Sequence, residues 1–498
     1  MFDAEFLTPQ SSTLFREAIS KAAEAVCKAM PDQAYSGLQP AELNKVLCDE
    51  LLPQGESSVS SVLDRLTTVI EHSVVVSHPS TAAHFHSPPL IAALAAEVVI
   101  AALNQSMDSF DQAPAGTVLE QRMVQWLCSR AGFPGEAGGV FTTGGTQSNF
   151  MGLLLARDRC LQSRWNWSAQ KRGLPPEASR LRILCSEVAH FTIEKSAAQL
   201  GLGTDAVVKV QTDQFFRIRP ESLRATIDKL RQDGLIPMAI VATAGSTDFG
   251  SVDPLKEIAS ACRSNQTWFH VDAAYGGALL FSQRNQGMLE GIENADSIGL
   301  DFHKLFWQPI SCSAFLLRDS GQFQYMELHA DYLNPETHDE MGIPNLVAKS
   351  LSTTRRFDAL KLWVSLQVLG KEKLGKMIDR TLELAKHIAQ VIRRTPRLEL
   401  LQEPDLGCVL FRYRPLGQHD CDALNMNLRQ RLLERGIAII GHTRVQKRQY
   451  LKLTCMNPAV GEEQYEALLM KVVQEGQELE HELSAAQTTD AVKSPSHL

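Results

Sequence analysis

From Gly139 onward the sequence changes texture, and short β-branched runs begin to alternate with helical stretches. The strand-like runs are Arg182–Cys185, Val207–Val210, Ala239–Ala242, Trp268–Val271 and Ser311–Leu317, with helical patterns such as Glu221–Arg231 and Pro254–Arg263 among them. Strands joined through helices need crossover connections, so the pattern predicts an α/β fold whose mainly parallel central sheet is covered by helices. Ahead of it, apolar residues recur every three or four positions, as in Leu14, Ala18, Ala22 and Ala25 and in Val62, Leu66 and Ile70, which predicts amphipathic helices. Behind it, Arg356–Arg394 reads as one long or broken helix. The strands Cys408–Tyr413 and Leu451–Cys455 then mix with the helices Asp422–Arg435 and Glu463–Leu479. The expected organisation is a helical segment 1–77, a large α/β domain 78–375, a small α+β domain 376–484 and a disordered tail 485–498.

Composition narrows the partners. Hydrophobic residues at 44% and charged residues at 21% are ordinary for a globular chain. Forty-nine Lys and Arg against 57 Asp and Glu give a net charge of −8, which predicts no nucleic-acid and no membrane partner and favours a small molecule. The ten cysteines form no CxxC pair or dense framework and read as reduced thiols of a cytoplasmic protein. The amino terminus lacks a basic signal region. The longest apolar stretch, Leu90 to Leu103, is 14 residues broken by Glu97, too short to span a bilayer and expected to be a buried helix.

Three segments carry chemistry. In Phe269-His270-Val271-Asp272-Ala273-Ala274-Tyr275-Gly276-Gly277 a strand ends in an acid, at the sheet edge where α/β proteins bind ligands. Thirty-two residues on, Lys304 stands among Phe302, Leu305, Phe306 and Trp307, where desolvation would free its amine as a nucleophile unless the chain snorkels outward. Val140-Phe141-Thr142-Thr143-Gly144-Gly145-Thr146-Gln147-Ser148-Asn149 follows a strand and opens a helix. Its glycines, its helix-start N–H groups and the hydroxyls of Thr143, Thr146 and Ser148 suit a phosphate. It is neither a Walker loop nor a dinucleotide fingerprint. Phosphate cradle, strand-end acid and lysine in this order suit pyridoxal 5′-phosphate.

With TTGGTQSN, SEVAHFTIEKSAAQLG, VATAGSTDFGSVDP, HVDAAYGG and DFHKLFWQP in order, the chain resembles the group II pyridoxal-phosphate amino-acid decarboxylases over roughly residues 75 to 460. That family includes glutamate, aromatic amino acid, diaminobutyrate and siderophore-pathway lysine decarboxylases. The resemblance implies a type I, aspartate-aminotransferase-like fold and a homodimer with shared active sites, the helical start serving dimerisation. It makes Lys304 the Schiff-base lysine, Asp272 the pyridinium partner, and His190 and Ala274 the groups on the two ring faces. Gly145 and Thr146 would hold the phosphate with His303 nearby, and Thr243 would contact the ring substituents or His190. Tyr332, in His329-Ala330-Asp331-Tyr332-Leu333-Asn334-Pro335, would be the proton donor on a mobile loop.

For the substrate, Asn104–Thr117 aligns with the segment lining the side-chain pocket of these relatives, and Asp108 falls where aromatic decarboxylases are apolar. A carboxylate there penalises an indole or catechol and attracts an ammonium, so Asp108 or Asp111 would read a diamino acid. His84, in TAAHFHSPP, reads with His86 as a pocket or packing residue, and no metal site is expected. Lys452 stands where glutamate and aromatic decarboxylases carry an Arg, so the substrate carboxylate would meet Lys452 as a point charge or another group such as His190. The implied reaction is lysine to cadaverine or 2,4-diaminobutyrate to 1,3-diaminopropane, for siderophore or polyamine synthesis. A glutamate or aromatic decarboxylase, an aminotransferase and a non-enzymatic scaffold are the competing readings.

Overall fold

The computed structural model describes residues 5–48 and 51–493. The chain divides into two compact units, Ser87–Glu383 with Pro404–Cys408, and Met1–His86 with Leu384–Glu403 and Val409–Leu498. The boundaries thus fall at 86/87 and 383/384, against the expected 77/78 and 375/376. The short strand β1 (Thr81–Ala82) belongs to the second unit.

The first unit carries seven strands: β2 (Gly138–Thr142), β3 (Leu181–Ser186), β4 (Val207–Val210), β5 (Ile236–Thr243), β6 (Trp268–Asp272), β7 (Ser297–Asp301) and β8 (Ser313–Leu317). Their order is β2-β8-β7-β6-β5-β3-β4, and only β8 runs against the others. Every residue of β5, β6, β7 and β8 is buried, the condition of strands covered on both faces. Register pairs Thr243 with Asp272 and Asp272 with Gly299, and it places Asp301 opposite Ser313. The chemistry-bearing residues therefore share one sheet edge, at the carboxyl ends of the parallel strands.

The helix Gly145–Trp165 lies on this sheet and buries Met151, Leu153, Leu155, Ala156 and Leu161. Its first turns use small or polar residues, Ser148, Asn149 and Gly152, because β6 and β7 pass close beneath. A Cβ on Gly152 would stand 2.6 Å from His270 Nδ1, and one on Gly299 would stand 3.0 Å from Ser148 Cβ. The apolar stretch expected to be a buried helix is a helix, Ile91–Leu103, but it buries only Ala93, Ala96 and Ile100 within the chain. Ile91, Leu94, Val99 and Leu103 stay exposed, because the stripe is apolar all round and a single chain covers one side. The helix Ala359–Arg394 is broken at Gly370, whose φ of 65° turns the chain between two helices.

In the second unit a five-stranded sheet has the order β1-β11-β12-β10-β9, with β9 (Leu398–Leu400), β10 (Cys408–Tyr413), β11 (Ile439–Val445) and β12 (Arg448–Thr454). β1 pairs in parallel with β11. The hairpin β11–β12 turns on Gln446 and Lys447, both at positive φ, the geometry of a two-residue loop matched to strand twist. The last helix continues to Lys493, beyond the expected start of a disordered tail at Ala485. Apolar periodicity fades there, but SAAQTTDAVK contains neither Gly nor Pro to stop a helix. Residues 494–498 of that tail lie outside the described residues.

Gly152→Ala is expected to lower stability by about 1–2 kcal/mol despite the better helix propensity of Ala, since overpacking a fixed buried ring costs more than the roughly 1 kcal/mol that propensity returns. Urea denaturation of the variant against the parent measures it.

Candidate active site

The site grows from the strand ends. Asp272, the last residue of β6, is 7% exposed. A carboxylate buried that far needs donors, and it has them: Asn149 Nδ2 donates to Oδ2 at 2.8 Å and the Ala274 amide to Oδ1 at 3.2 Å. Asn149 comes from the facing helix and donates at 3.0 Å to Thr192 Oγ1, which in turn lies 2.8 Å from His190 Nδ1. The acid expected at a pyridinium nitrogen and the imidazole expected on the ring are thus joined through two uncharged side chains. His190 is held below the ordinary imidazole pKa, first by burial and further by Lys304, with Asp272 opposing.

Lys304 stands three residues beyond the end of β7. Its Nζ lies 3.2 Å from Asp301 Oδ2, and Ser313 Oγ donates to Asp301 Oδ1 at 2.7 Å. His303 Nε2 is 3.6 Å from the same carboxylate, and its Nδ1 lies 3.0 Å from the Cys312 carbonyl. Burial lowers the His303 pKa. The segment that follows is anchored by Lys361, whose fully buried ammonium donates to the carbonyls of Ser311 at 2.7 Å and Pro309 at 3.2 Å. Glu97 and Asp358, each at 2.9 Å, balance its charge.

The glycine loop is only partly as expected. Thr143 Oγ1 lies 3.0 Å from Gln147 Oε1, and Ser148 Oγ lies inside the fold, 2.9 Å from Thr142 Oγ1, so neither hydroxyl is left for a phosphate. Thr146 is exposed, and the Gly145 and Thr146 amides stand at a helix start, where no intrahelical acceptor reaches them. A Cβ on Gly145 would meet Ala274 Cβ at 3.2 Å and Asp301 Oδ2 at 3.3 Å, so Gly145, Ala274 and Asp301 converge on one spot. Two buried polar atoms here, Gln147 Nε2 and Thr243 Oγ1, have no hydrogen-bond partner among the described residues. A buried donor and a buried hydroxyl left open beside a lysine, an acid and a helix start fit a phosphorylated, polar-ringed cofactor. Thr243 itself is held by Asp253, which accepts its amide at 2.7 Å and whose pKa burial pushes up to about 7.

The expected substrate residues fall in both units. Asp108 lies in the first unit and is 5% exposed, with Oδ1 accepting the Ser109 amide at 2.9 Å. Arg355 fixes its neighbour Met107 through both backbone groups at 3.0 Å and pairs with buried Glu120 at 3.1 Å. The Asp108 carbonyl accepts the Val347 amide at 3.0 Å. Asp111 is exposed, and its Oδ1 accepts Ser109 Oγ at 2.5 Å. Tyr332 is 88% exposed in the segment between the strand β8 and the helix Ala359–Arg394. His84 and Lys452 belong to the second unit, where the His84 and His86 rings are 5.5 Å apart and buried Lys452 lies 6.0 Å from the Phe85 ring. Asn149, Thr192, His270, Asp301 and Arg355 were not singled out from sequence. Asn149, Thr192, His270 and Asp301 stand inside quoted motifs, yet the Asn149 bonds to Thr192, His270 and Asp272 come from the packing of helix on sheet, and the Ser313 bond to Asp301 from strand pairing.

A strand-edge acid, a lysine on the neighbouring strand end and a glycine helix start, set on a mixed sheet with a helical start and a small α+β unit, define a pyridoxal-phosphate enzyme of the aminotransferase-like class. Similarity to known proteins carries this further. The pattern described as the Pyridoxal-dependent decarboxylase conserved domain matches residues 40–414, and the chain belongs to that family. It is 40% identical to an L-2,4-diaminobutyrate decarboxylase of Acinetobacter baumannii over 486 residues, 96% of this chain and 95% of that one. It is likewise 40% identical to an L-2,4-diaminobutyrate decarboxylase of Rhizobium meliloti (strain 1021) over 476 residues, covering 95% and 93%. Among solved structures, the glutamate decarboxylase domain of diaminobutyrate-pyruvate transaminase and L-2,4-diaminobutyrate decarboxylase from Vibrio parahaemolyticus superposes with a TM-score of 0.89 at 40% identity, covering 96% of this chain and 99% of that one. The protein is a carboxy-lyase that uses pyridoxal 5′-phosphate. No helix among the described residues is long and apolar enough to cross a membrane.

One acid-side consequence follows from His270. Burial lowers its pKa from 6.5 to about 4, so on acidification the unfolded chain takes up a proton before the folded one does. The stability this neutral ring contributes is present above about pH 6.5 and is lost as pH falls toward 4, on the order of 3 kcal/mol in all. Urea unfolding at pH 7 and pH 4.5 should show a smaller acid loss in His270→Gln than in the parent.

Proposed function

We propose that the enzyme decarboxylates a diamino acid, L-2,4-diaminobutyrate to 1,3-diaminopropane in preference to lysine to cadaverine, as a cytoplasmic homodimer serving siderophore or polyamine synthesis. The observation that carries the substrate class is the buried carboxylate of Asp108, on a segment fixed by Arg355 and Val347, where an ammonium is welcome and an aromatic ring is not. The names of the two relatives at 40% identity support diaminobutyrate ahead of lysine. Exposed Ile91, Leu94, Val99 and Leu103 on one helix supply an apolar face suited to a second copy of the chain.

Lys304 would hold the cofactor aldehyde, Asp272 its ring nitrogen, His190 and Ala274 its two faces, Gly145, Thr146 and His303 its phosphate, and Thr243 a ring substituent or His190. The bound cofactor supplies an electron-withdrawing ring that accepts the electron pair left when CO2 departs. The protein's part is positional and protonic. Asp301 orients the Lys304 amine from 3.2 Å, and Asn149 and the Ala274 amide fix the Asp272 carboxylate by donating to its two oxygens. Tyr332 supplies the proton that Cα requires after CO2 has gone, once its loop closes over the site and excludes water. Lys452, with His84 in its unit, is a candidate point charge for the substrate carboxylate, and Asp111 a second acid for the distal ammonium.

CO2 release from diaminobutyrate, lysine, ornithine, glutamate and DOPA should rank a diamino acid first. Asp108→Asn should lower kcat/KM for it by about 10- to 100-fold, the weight of one charged hydrogen bond, with little change on poor substrates. Equal loss on all substrates, or glutamate ranking first, would remove Asp108 from specificity. Tyr332→Phe is expected to slow turnover by about 10²-fold or more and to divert substrate into oxidative or transaminating by-products, read by chromatography of the products. Parent product ratios would take Tyr332 out of the mechanism.

A further inference from the structure

A continuous line of buried hydrogen bonds runs through the sheet to the site, and the chemistry at its two ends fixes the direction of every bond along it. At one end Trp268 Nε1, which can only donate, lies 2.9 Å from Ser297 Oγ. Ser297 Oγ lies 2.8 Å from His270 Nδ1, and His270 Nε2 lies 2.9 Å from Asn149 Oδ1. At the other end the Asp272 carboxylate, which can only accept, faces Asn149 Nδ2. The Asn149 amide is therefore oriented with its nitrogen toward Asp272 and its oxygen toward His270. His270 then carries its hydrogen on Nε2 and receives the Ser297 hydroxyl on Nδ1.

The same amide nitrogen has a second hydrogen, and it goes to Thr192 Oγ1 at 3.0 Å. Having accepted there, Thr192 turns its own hydroxyl hydrogen toward His190 Nδ1 at 2.8 Å, and its backbone N–H approaches the same nitrogen at 3.4 Å. Both point at a nitrogen that must offer a lone pair. Asn149, Thr192 and His270 are all essentially without solvent contact, so water does not compete for these bonds.

We propose that Asn149 is a positioning residue which, by donating simultaneously to Asp272 and Thr192, locks His190 in the tautomer bearing its hydrogen on Nε2. One side chain thereby sets both the acceptor at the ring nitrogen and the donor that His190 presents to the site. The inference rests on the reading of Asp272 and His190 given above for its consequence in catalysis, but not for its geometry.

The test is nitrogen NMR of the full-length enzyme labelled with ¹⁵N-histidine, cofactor-loaded and cofactor-free, with His190 assigned by its loss in His190→Gln. In the parent, Nε2 should be the protonated nitrogen and Nδ1 the lone-pair nitrogen in both states. Thr192→Ser should preserve that tautomer. Thr192→Val should lower the ratio of the two tautomers by roughly fivefold to tenfold, the weight of one net hydrogen bond. Asn149→Asp should invert the ratio, because an acid at 149 accepts from Thr192 and leaves the threonine lone pair facing Nδ1. A parent with the hydrogen on Nδ1, or an Asn149→Asp protein that melts cooperatively and keeps the parent tautomer, overturns the proposal. Should Asn149→Asp fail to fold, the contrast between Thr192→Ser and Thr192→Val decides, and equal spectra for the two overturn it. The tautomer in cofactor-free protein does not depend on where the cofactor attaches, so a pyridoxyl label found away from Lys304 would sink the site reading while leaving this result standing.

Discussion

The structure depends on satisfying a carboxylate at the end of a buried strand. Asp272 is nearly out of water, and an unpaired ionised acid there would either take up a proton or cost several kcal/mol. Two uncharged donors, the Asn149 amide and the Ala274 backbone, hold it as an acceptor without neutralising it. A lysine or arginine in place of Asn149 would have stabilised the acid more strongly and left it committed to that partner. An amide satisfies one carboxylate oxygen with a neutral hydrogen bond and brings no second charge to the site.

That choice propagates into the packing. For Asn149 to reach Asp272 from the helix Gly145–Trp165, the helix must sit close to β6 and β7, and Gly152 and Gly299 supply the missing volume, one against His270 and the other against Ser148. His270 then fills the space beneath the helix with a neutral ring whose two nitrogens are both satisfied. Dense packing leaves little room for rearrangement, so the same residues that shape the core hold the site.

A second polar assembly secures the segment that carries Asp108. The buried pair Arg355–Glu120 is an unpromising source of net stability, since desolvating both charges offsets most of their attraction. Its value is geometric. Glu120 accepts the Phe141 amide at 3.1 Å, and Arg355 donates to the Phe141 and Met107 carbonyls at 3.2 and 3.0 Å, tying the segment before Asp108 to the strand that leads into the glycine loop. Lys361 does the same for the chain beyond Lys304.

Hydrophobic period and strand-end acids are local properties, and they were enough to read the sheet, its near-parallel character and the edge at which the polar residues gather. Asp272, Lys304 and the Gly145 helix start were legible for that reason, as was the family. Other features were decided only in three dimensions. The hairpin at Gln446 and Lys447 lacks the Asn-Gly or Asp-Gly signal of such turns, and β1 is two residues long, so neither β11 nor β1 could be read from period. Ser148 reads as a phosphate ligand from its place in the glycine loop, yet the helix turns it toward Thr142 and the core. Asn149 reads as one more polar residue of that loop until β6 brings Asp272 and His270 to it across more than a hundred positions of chain. A side chain's type is written in sequence, but its hydrogen-bond partners are a property of which surfaces meet, and that is settled only when the helix closes on the sheet.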